Sequence, residues 1–267
     1  RIKMREEYWK IQKPDQTLYE DILWNKPVRK DQTNTIGIIG GSKSGFMAVN
    51  LAYSICQKTV ISDIKILVPD VLRKIIPSNI PDIVFVDSTP QGAIAKKAEP
   101  DIFAFSSLTK TILLIGDSGF SSETGMLFQN LIFNESFKDK HFIITRDTID
   151  LLLSDITKLL ERENTTLVVT MSQLQKIFTK SYYPKIITFS MQLNVLVEIL
   201  HKFTITYPIN IVTIHRDTFI VASNGEVITE EKANQMKLIT GELAAKVTSF
   251  LSWNESNELK ALATALK

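Results

Sequence analysis

A chain of 267 residues with a net charge of +2 and 44% hydrophobic content has material for one large α/β domain or two small ones. The near-neutral balance speaks against a dedicated nucleic-acid binder, which concentrates a strong basic excess. The longest apolar runs are far too short to cross a bilayer, and no basic segment followed by an apolar stretch opens the chain as a secretion signal would.

Residues 1–33 are mixed and polar, with Trp9, Tyr19 and Trp24 spaced among charges. They read as an N-terminal arm that packs its aromatics onto a domain formed by residues 34–267. From residue 35 a rhythm begins. Apolar runs at 35–39, 63–68, 83–86, 112–115, 142–145 and 167–170 read as strands. Helical patterns at 44–57, 69–76, 123–133, 148–153 and 172–179 fall between them. Short β-rich runs alternating with helices predict a mostly parallel sheet covered on both faces. The pattern then changes. Runs at 210–214 and 218–222, joined by His215-Arg216-Asp217, read as a hairpin, and Asn224-Gly225 marks a further turn. Helices over 242–253 and 255–266 close the chain. No repeat, low-complexity segment or linker separates two domains. The single Cys56 lies in a helical pattern and reads as a small core residue; it cannot form an internal disulfide, and a reducing cytoplasm is the default compartment.

Parallel sheets bind ligands beyond the carboxyl ends of their strands, and three segments there can carry chemistry. The first is "TIGIIGGSKSG", residues 35–45, an apolar run ending in Gly40, Gly41, Ser42, Lys43 and Gly45. Its glycine spacing does not supply the dinucleotide fingerprint. The Walker spacing fails because Phe46 and Met47 follow Gly45 where lysine and a hydroxyl are needed. A βα loop with exposed amides at a helix start suits an anion; it is equally a tight turn with Lys43 in solvent. The second is "LIGDSGFSSETG", where Gly116 and Gly119 bracket Asp117 and Ser118. It reads as a helix start or as a sugar-phosphate cradle. The third is Thr240-Gly241-Glu242, which opens a helix whose apolar face is Leu243, Ala244, Val247, Phe250 and Leu251. Capping by Thr240, with Glu242 complementing the helix dipole, explains it without any activity.

Taken together, residues 16–266 resemble the ADP/ATP-dependent NAD(P)H-hydrate dehydratases, a branch of the ribokinase-like superfamily. "IIGGSKSGFMAVNLAYSIC" is similar to their first strand, loop and helix. "IGDSGFSSET" stands where they carry a glycine-rich turn. Ile239-Thr240-Gly241-Glu242 stands where Gly-Thr-Gly-Asp opens their helix. The chain departs from that pattern in three places. Ser172 and Gln175 replace a histidine and a glutamate, Ile214 replaces a lysine, and residues 230–237 replace a glycine-rich approach.

The resemblance implies a ribokinase-like single α/β domain with a late β-hairpin. It also implies a metabolite-repair activity in which ATP or ADP phosphorylates the hydroxyl of hydrated NADH or NADPH, after which elimination restores the dinucleotide. Glu242 would be the catalytic base. Thr240, Gly241, His215, Arg216 and Thr218 would bind the nucleotide. Gly40, Gly41, Ser42, Gly45, Gly116, Asp117 and Gly119 would face the substrate, with Gly41, Ser42, Gly116, Gly119 and Gly241 lining one cleft. The partners are small-molecule nucleotides, with neither nucleic acid nor membrane, and a homo-oligomer is left open. The three histidines and one cysteine have no metal-ligand spacing; Mg²⁺ would arrive with the nucleotide, needing few protein ligands. Two rival readings stand beside the enzyme: a relative that binds a nucleotide or dinucleotide without phosphoryl transfer, and a sugar-phosphate-binding protein.

Overall fold

A computed structural model describes residues 7–77 and 79–267. Ten strands form one sheet: β1 (Trp9–Gln12), β2 (Ile36–Gly40), β3 (Ile64–Pro69), β4 (Ile83–Val86), β5 (Thr111–Gly116), β6 (His141–Thr145), β7 (Thr165–Val168), β8 (Asn210–His215), β9 (Thr218–Ser223) and β10 (Glu226–Glu231). Their spatial order is β1-β10-β9-β8-β7-β6-β5-β2-β3-β4. Every neighbouring pair is parallel except the two that involve β9. The central strands are near-continuous apolar runs because both faces are covered; β5, "TILLIG", is buried along its whole length.

Helices cover both faces. They are α1 (Glu20–Trp24), α2 (Met47–Thr59), α3 (Glu99–Ser107), α4 (Ser122–Ile132), α5 (Asp147–Leu152), α6 (Ile156–Leu160), α7 (Met171–Lys180), α8 (Leu193–Thr206), α9 (Gln235–Ile239), α10 (Glu242–Leu251) and α11 (Glu258–Thr264). One core joins the sheet to α3 through α8. The other joins it to α2, α10 and α11. Small residues let α2 and α10 approach closely: Ala48, Ala52 and Cys56 on one meet Ala244 and Ala245 on the other, and Cys56 Sγ lies 3.6 Å from the Ala245 carbonyl. Burial pushes the Cys56 thiol up to about 12, which keeps it protonated and unreactive. Among the described residues no helix is long and apolar enough to cross a membrane.

Several local outcomes differ from the sequence expectation. The helix expected from 44 begins at Met47, because Ser42 and Gly45 close a tight turn on each other first. The helix expected over 69–76 is a single 3₁₀ turn, Asp70–Leu72. The late hairpin is a three-stranded meander, with Asn224 and Gly225 both at positive φ (49° and 82°) in the tight turn between β9 and β10. In residues 7–33, Trp9 enters the sheet in β1 and donates its ring N–H to Thr229 Oγ1, whereas Trp24 is 82% exposed.

The chain path sets up the site. From β2 it moves outward through β3 and β4, then returns to the other side of β2 for β5 and continues toward β8. The connections leaving β2 and β5 therefore diverge, and a crevice opens at that switch point beyond the carboxyl ends of the two strands. A bulge at Ile39/Gly40 pairs Gly40 with Gly116 directly beneath it.

Candidate functional site

A cavity of about 640 Å³ occupies this crevice. Its apolar wall comes from the first turns of α2, with Phe46, Met47 and Leu51, and from Ile239 at the end of α9. Its polar lining includes Ser44, Asp117, Arg146 and Thr240. Arg146 follows β6 directly, at φ 57° and ψ −139°, a sparsely populated conformation for a residue with a Cβ. The backbone is held there by the Gln173 amide, which donates to the Arg146 carbonyl at 2.8 Å while the Thr170–Gln173 capping box starts α7.

The Arg146 guanidinium is tied on three sides. Nε donates to the Ile239 carbonyl at 2.9 Å, Nη1 donates to the Ile115 carbonyl at 3.4 Å, and Nη1 pairs with Asp117 Oδ1 at 2.8 Å. Asp117 is also at positive φ, 55°. Its other oxygen accepts from the Ala48 amide at the start of α2, at 3.2 Å. The positive end of that helix is thus already met by a carboxylate. Asp147 lies behind the pair. Its Oδ2 accepts from the Gly119 amide at 3.1 Å, and its Oδ1 is buried with no hydrogen-bond partner among the described residues. Burial pushes the Asp147 carboxyl up; the Asp117 charge adds to this, while the Gly119 amide and Arg146 act against it.

The loop at Gly40–Gly45 spends four of its amides on backbone carbonyls. Gly41 N–H donates to the Gly116 carbonyl, Ser42 N–H to Gly45, Lys43 N–H to Gly92, and Gly45 N–H to Ser42. Gly45 lines the cavity, Ser42 is buried, and Gly40 and Gly41 stand at the end of β2 against Gly116 and Leu72. Gly116 abuts Arg146 and Asp147, and Gly241 abuts Ile115 and Arg146. Arg146 therefore joins the β5 loop to the start of α10. Gly241 is left-handed at φ 89° and opens α10 with Glu242 in its first turn. The Glu242 side chain is half-buried and makes no hydrogen bond or ion pair among the described residues.

The meander lies apart from the cavity lining. His215 is buried, with Nε2 2.8 Å from the Met191 carbonyl. Arg216 donates to the Ser190 carbonyl at 3.3 Å, and Thr218 is buried. The Gln235 amide fills the space between strand end and α9, donating to the carbonyls of Ile214 and Arg216. The five-residue helix α9 carries Gln235 at the meander and Ile239 at the cavity, so it couples the two.

Arg146 and Asp147 escape the sequence reading. Their signal is present: "TRDT" follows an apolar strand run. A charged pair there reads as an ordinary helix start, and only the three-dimensional partner, Asp117, distinguishes it. Ser172, by contrast, is exposed on α7. Among the described residues no group of three or more His, Cys, Asp or Glu could hold a metal.

No family model matches the chain, and no curated protein matches it. Solved structures do. A ribokinase-like superfamily protein from Enterococcus faecalis superposes with a TM-score of 0.72 at 14% identity, covering 98% of this chain and 87% of that one. A Bacillus subtilis ADP/ATP-dependent NAD(P)H-hydrate dehydratase, co-crystallised with ATP and Mg²⁺ and soaked with CoA, matches with a TM-score of 0.61 at 12% identity over 94% and 86% of the two chains. A Streptococcus mutans protein matches at 0.63 and 13% over 91% and 84%. The fold is ribokinase-like, and at such identities the likeness establishes the fold alone.

Proposed function

We propose that the protein is a divergent ATP- or ADP-dependent dehydratase of hydrated NAD(P)H, working in the cytoplasm, with its substrate in the crevice between β2 and β5 and Glu242 as base. The observation that carries this reading is the Glu242 carboxylate. It stands in the first turn of α10 behind left-handed Gly241, which abuts Arg146, and its side chain makes no hydrogen bond or ion pair among the described residues. A base must be unprotonated and able to reach the hydroxyl it activates. The amides at the start of α10 supply the positive end that a transferring phosphoryl group needs. Thr240, Gly241 and these amides would hold the phosphates. Among the described residues no cluster offers a metal cage, so Mg²⁺ would be held by nucleotide oxygens and water.

In the reaction the substrate hydroxyl oxygen attacks the terminal phosphorus, its proton passes to Glu242, and the shortened nucleotide leaves. Loss of the new phosphate ester as phosphate, with a proton from the ring, restores the double bond. Apolar Phe46, Met47, Leu51 and Ile239 suit the uncharged body of the ring. Support also comes from the Bacillus subtilis structure, whose fold is shared and which was crystallised with ATP and Mg²⁺.

The meander favours a second reading, a relative that binds the dinucleotide without transferring phosphate. His215 and Arg216 are already spent on carbonyls, and Gln235 occupies the neighbouring space. Turnover of hydrated NADH and NADPH with either nucleotide separates the two. The enzyme reading expects activity in the wild type and none in Glu242→Gln, with the dinucleotide still bound. Binding without turnover in both proteins would hand the site to the second reading.

A further inference from the structure

We infer that Arg146 recognises an anionic group, a phosphoryl or carboxylate, on whatever molecule fills the crevice, and that Asp117 is an internal counter-ion which this group displaces. The inference shares with the proposed function only the premise that the crevice is a ligand site. It does not depend on Glu242.

Three features point this way. First, the Arg146–Asp117 pair lines a cavity of about 640 Å³. A purely structural ion pair gains nothing from standing at the wall of a crevice at the sheet's switch point, where ligands bind. Second, the arginine is pre-set for a ligand. Its Nε and Nη1 are used by Ile239, Ile115 and Asp117, which fix the plane of the guanidinium, while Nη2 has no hydrogen-bond partner among the described residues. A fixed, half-used guanidinium fork suits an anion with two oxygens. Its strained backbone, held by Gln173, is what such positioning costs. Third, Asp117 occupies the place an anion would take. One of its oxygens meets Arg146 and the other meets the Ala48 amide at the head of α2. A phosphoryl or carboxylate group offers the same pair of oxygens to the same two donors. The apolar wall of Phe46, Met47, Leu51 and Ile239 would take the ligand's uncharged body.

The displaced carboxylate gives the inference a signature that an ordinary anion site lacks. If Asp117 competes with the ligand, Asp117→Asn removes the competitor and leaves every Arg146 contact to the carbonyls in place. Anion affinity should then rise. If Asp117 instead helps to bind the ligand, or only braces the fold, affinity should fall or stay unchanged.

The test is calorimetry on the full chain at low salt with AMP, ribose 5-phosphate and inorganic phosphate, alongside adenosine and ribose as uncharged counterparts. The wild type should bind at least one phosphate-bearing probe more tightly than its counterpart. Asp117→Asn should tighten that probe about tenfold, the scale of one charge-assisted hydrogen bond gained. Arg146→Ala should weaken it about tenfold or more while leaving the uncharged counterpart unchanged. AMP preferred over inorganic phosphate identifies a phosphorylated metabolite as the source, and equal binding identifies phosphate itself; either result supports the assignment. Arg146 also braces Ile115 and Ile239, so circular dichroism should accompany that variant, and Asp117→Asn decides the matter if Arg146→Ala unfolds. Failure of all three phosphate probes to bind both wild type and Asp117→Asn overturns the inference, as does an Asp117→Asn protein that binds them no better than wild type.

Discussion

Gly116 and Gly119 flank Asp117 and Ser118 in the loop after β5, both at positive φ (94° and 77°), yet they face different surroundings. A Cβ at Gly119 would meet nothing within 4 Å. Gly119→Ala therefore isolates the conformational penalty of a left-handed alanine, about 1 kcal/mol. A Cβ at Gly116 would fall 2.3 Å from Asp147 Oδ1 and 3.1 Å from Arg146 Cβ. Gly116→Ala carries the same conformational penalty and must also push the Asp147 carboxylate aside. Overpacking of this kind adds about 1–3 kcal/mol, for a total of about 2–4 kcal/mol. For a chain of this size each kcal/mol moves the midpoint of thermal unfolding by about 2–4 °C. Scanning calorimetry should thus find Gly119→Ala lowered by about 2–4 °C and Gly116→Ala by about 4–16 °C. Equal shifts in the two variants would refute the close packing of Asp147 against the β5 loop, and with it the placement of Arg146 beside Gly116.

Asp147 also gives a pH test. Its carboxyl is pushed up by burial, so the fold favours its protonated form; that contribution is complete below the ordinary value of 3.8 and is lost as pH rises through the higher folded value. Asp147→Asn should accordingly unfold at a higher temperature than wild type at pH 7, with the gap closing toward pH 3.8; a variant less stable at pH 7 would contradict this. At the other end of the molecule Lys267 pairs with Glu230, whose side chain is only 4% exposed and which also accepts from Gln12. Lys267→Ala should cost about 3–5 kcal/mol by leaving a buried carboxylate without its cation, and Glu230→Gln in the same chain should recover part of the lost midpoint in a thermal melt. Because His215, Arg216 and Gln235 are committed to backbone carbonyls, ATP and ADP should bind weakly; calorimetry showing tight binding of either would contradict that.

The parallel strands are legible in the sequence because a strand buried on both faces is a continuous apolar run, as in "IGIIG" and "TILLIG". Five helices are not, and three of them, α1, α6 and α9, have only five residues each. α3, "EPDIFAFSS", is short and has little one-sided character, and α8, "LNVLVEILHKFTIT", is rich in β-branched residues and apolar over much of its surface. β1 has four residues and its partner strand lies at the far end of the chain. For the site, the glycine-bearing loops after β2 and β5 and the Gly241–Glu242 helix start can be located from local pattern. Their use cannot. The Gly40–Gly45 amides are taken by carbonyls of Gly116, Gly92 and the loop itself, and Arg146 acquires a role only through Asp117 and Ile239, each distant in sequence.

The dehydratase reading is tested most directly by the release of inorganic phosphate from ATP, or from ADP, that depends on added hydrated NADH or NADPH, measured for wild type, Glu242→Asp and Glu242→Gln. With Glu242 as base, the wild type releases phosphate in step with restored dinucleotide. Glu242→Asp retains that coupling, and Glu242→Gln releases phosphate no faster than a blank, since loss of general-base catalysis removes about 10²–10⁴-fold in rate. Release that is the same in wild type and Glu242→Gln, or absent from both wild type and Glu242→Asp, would contradict it.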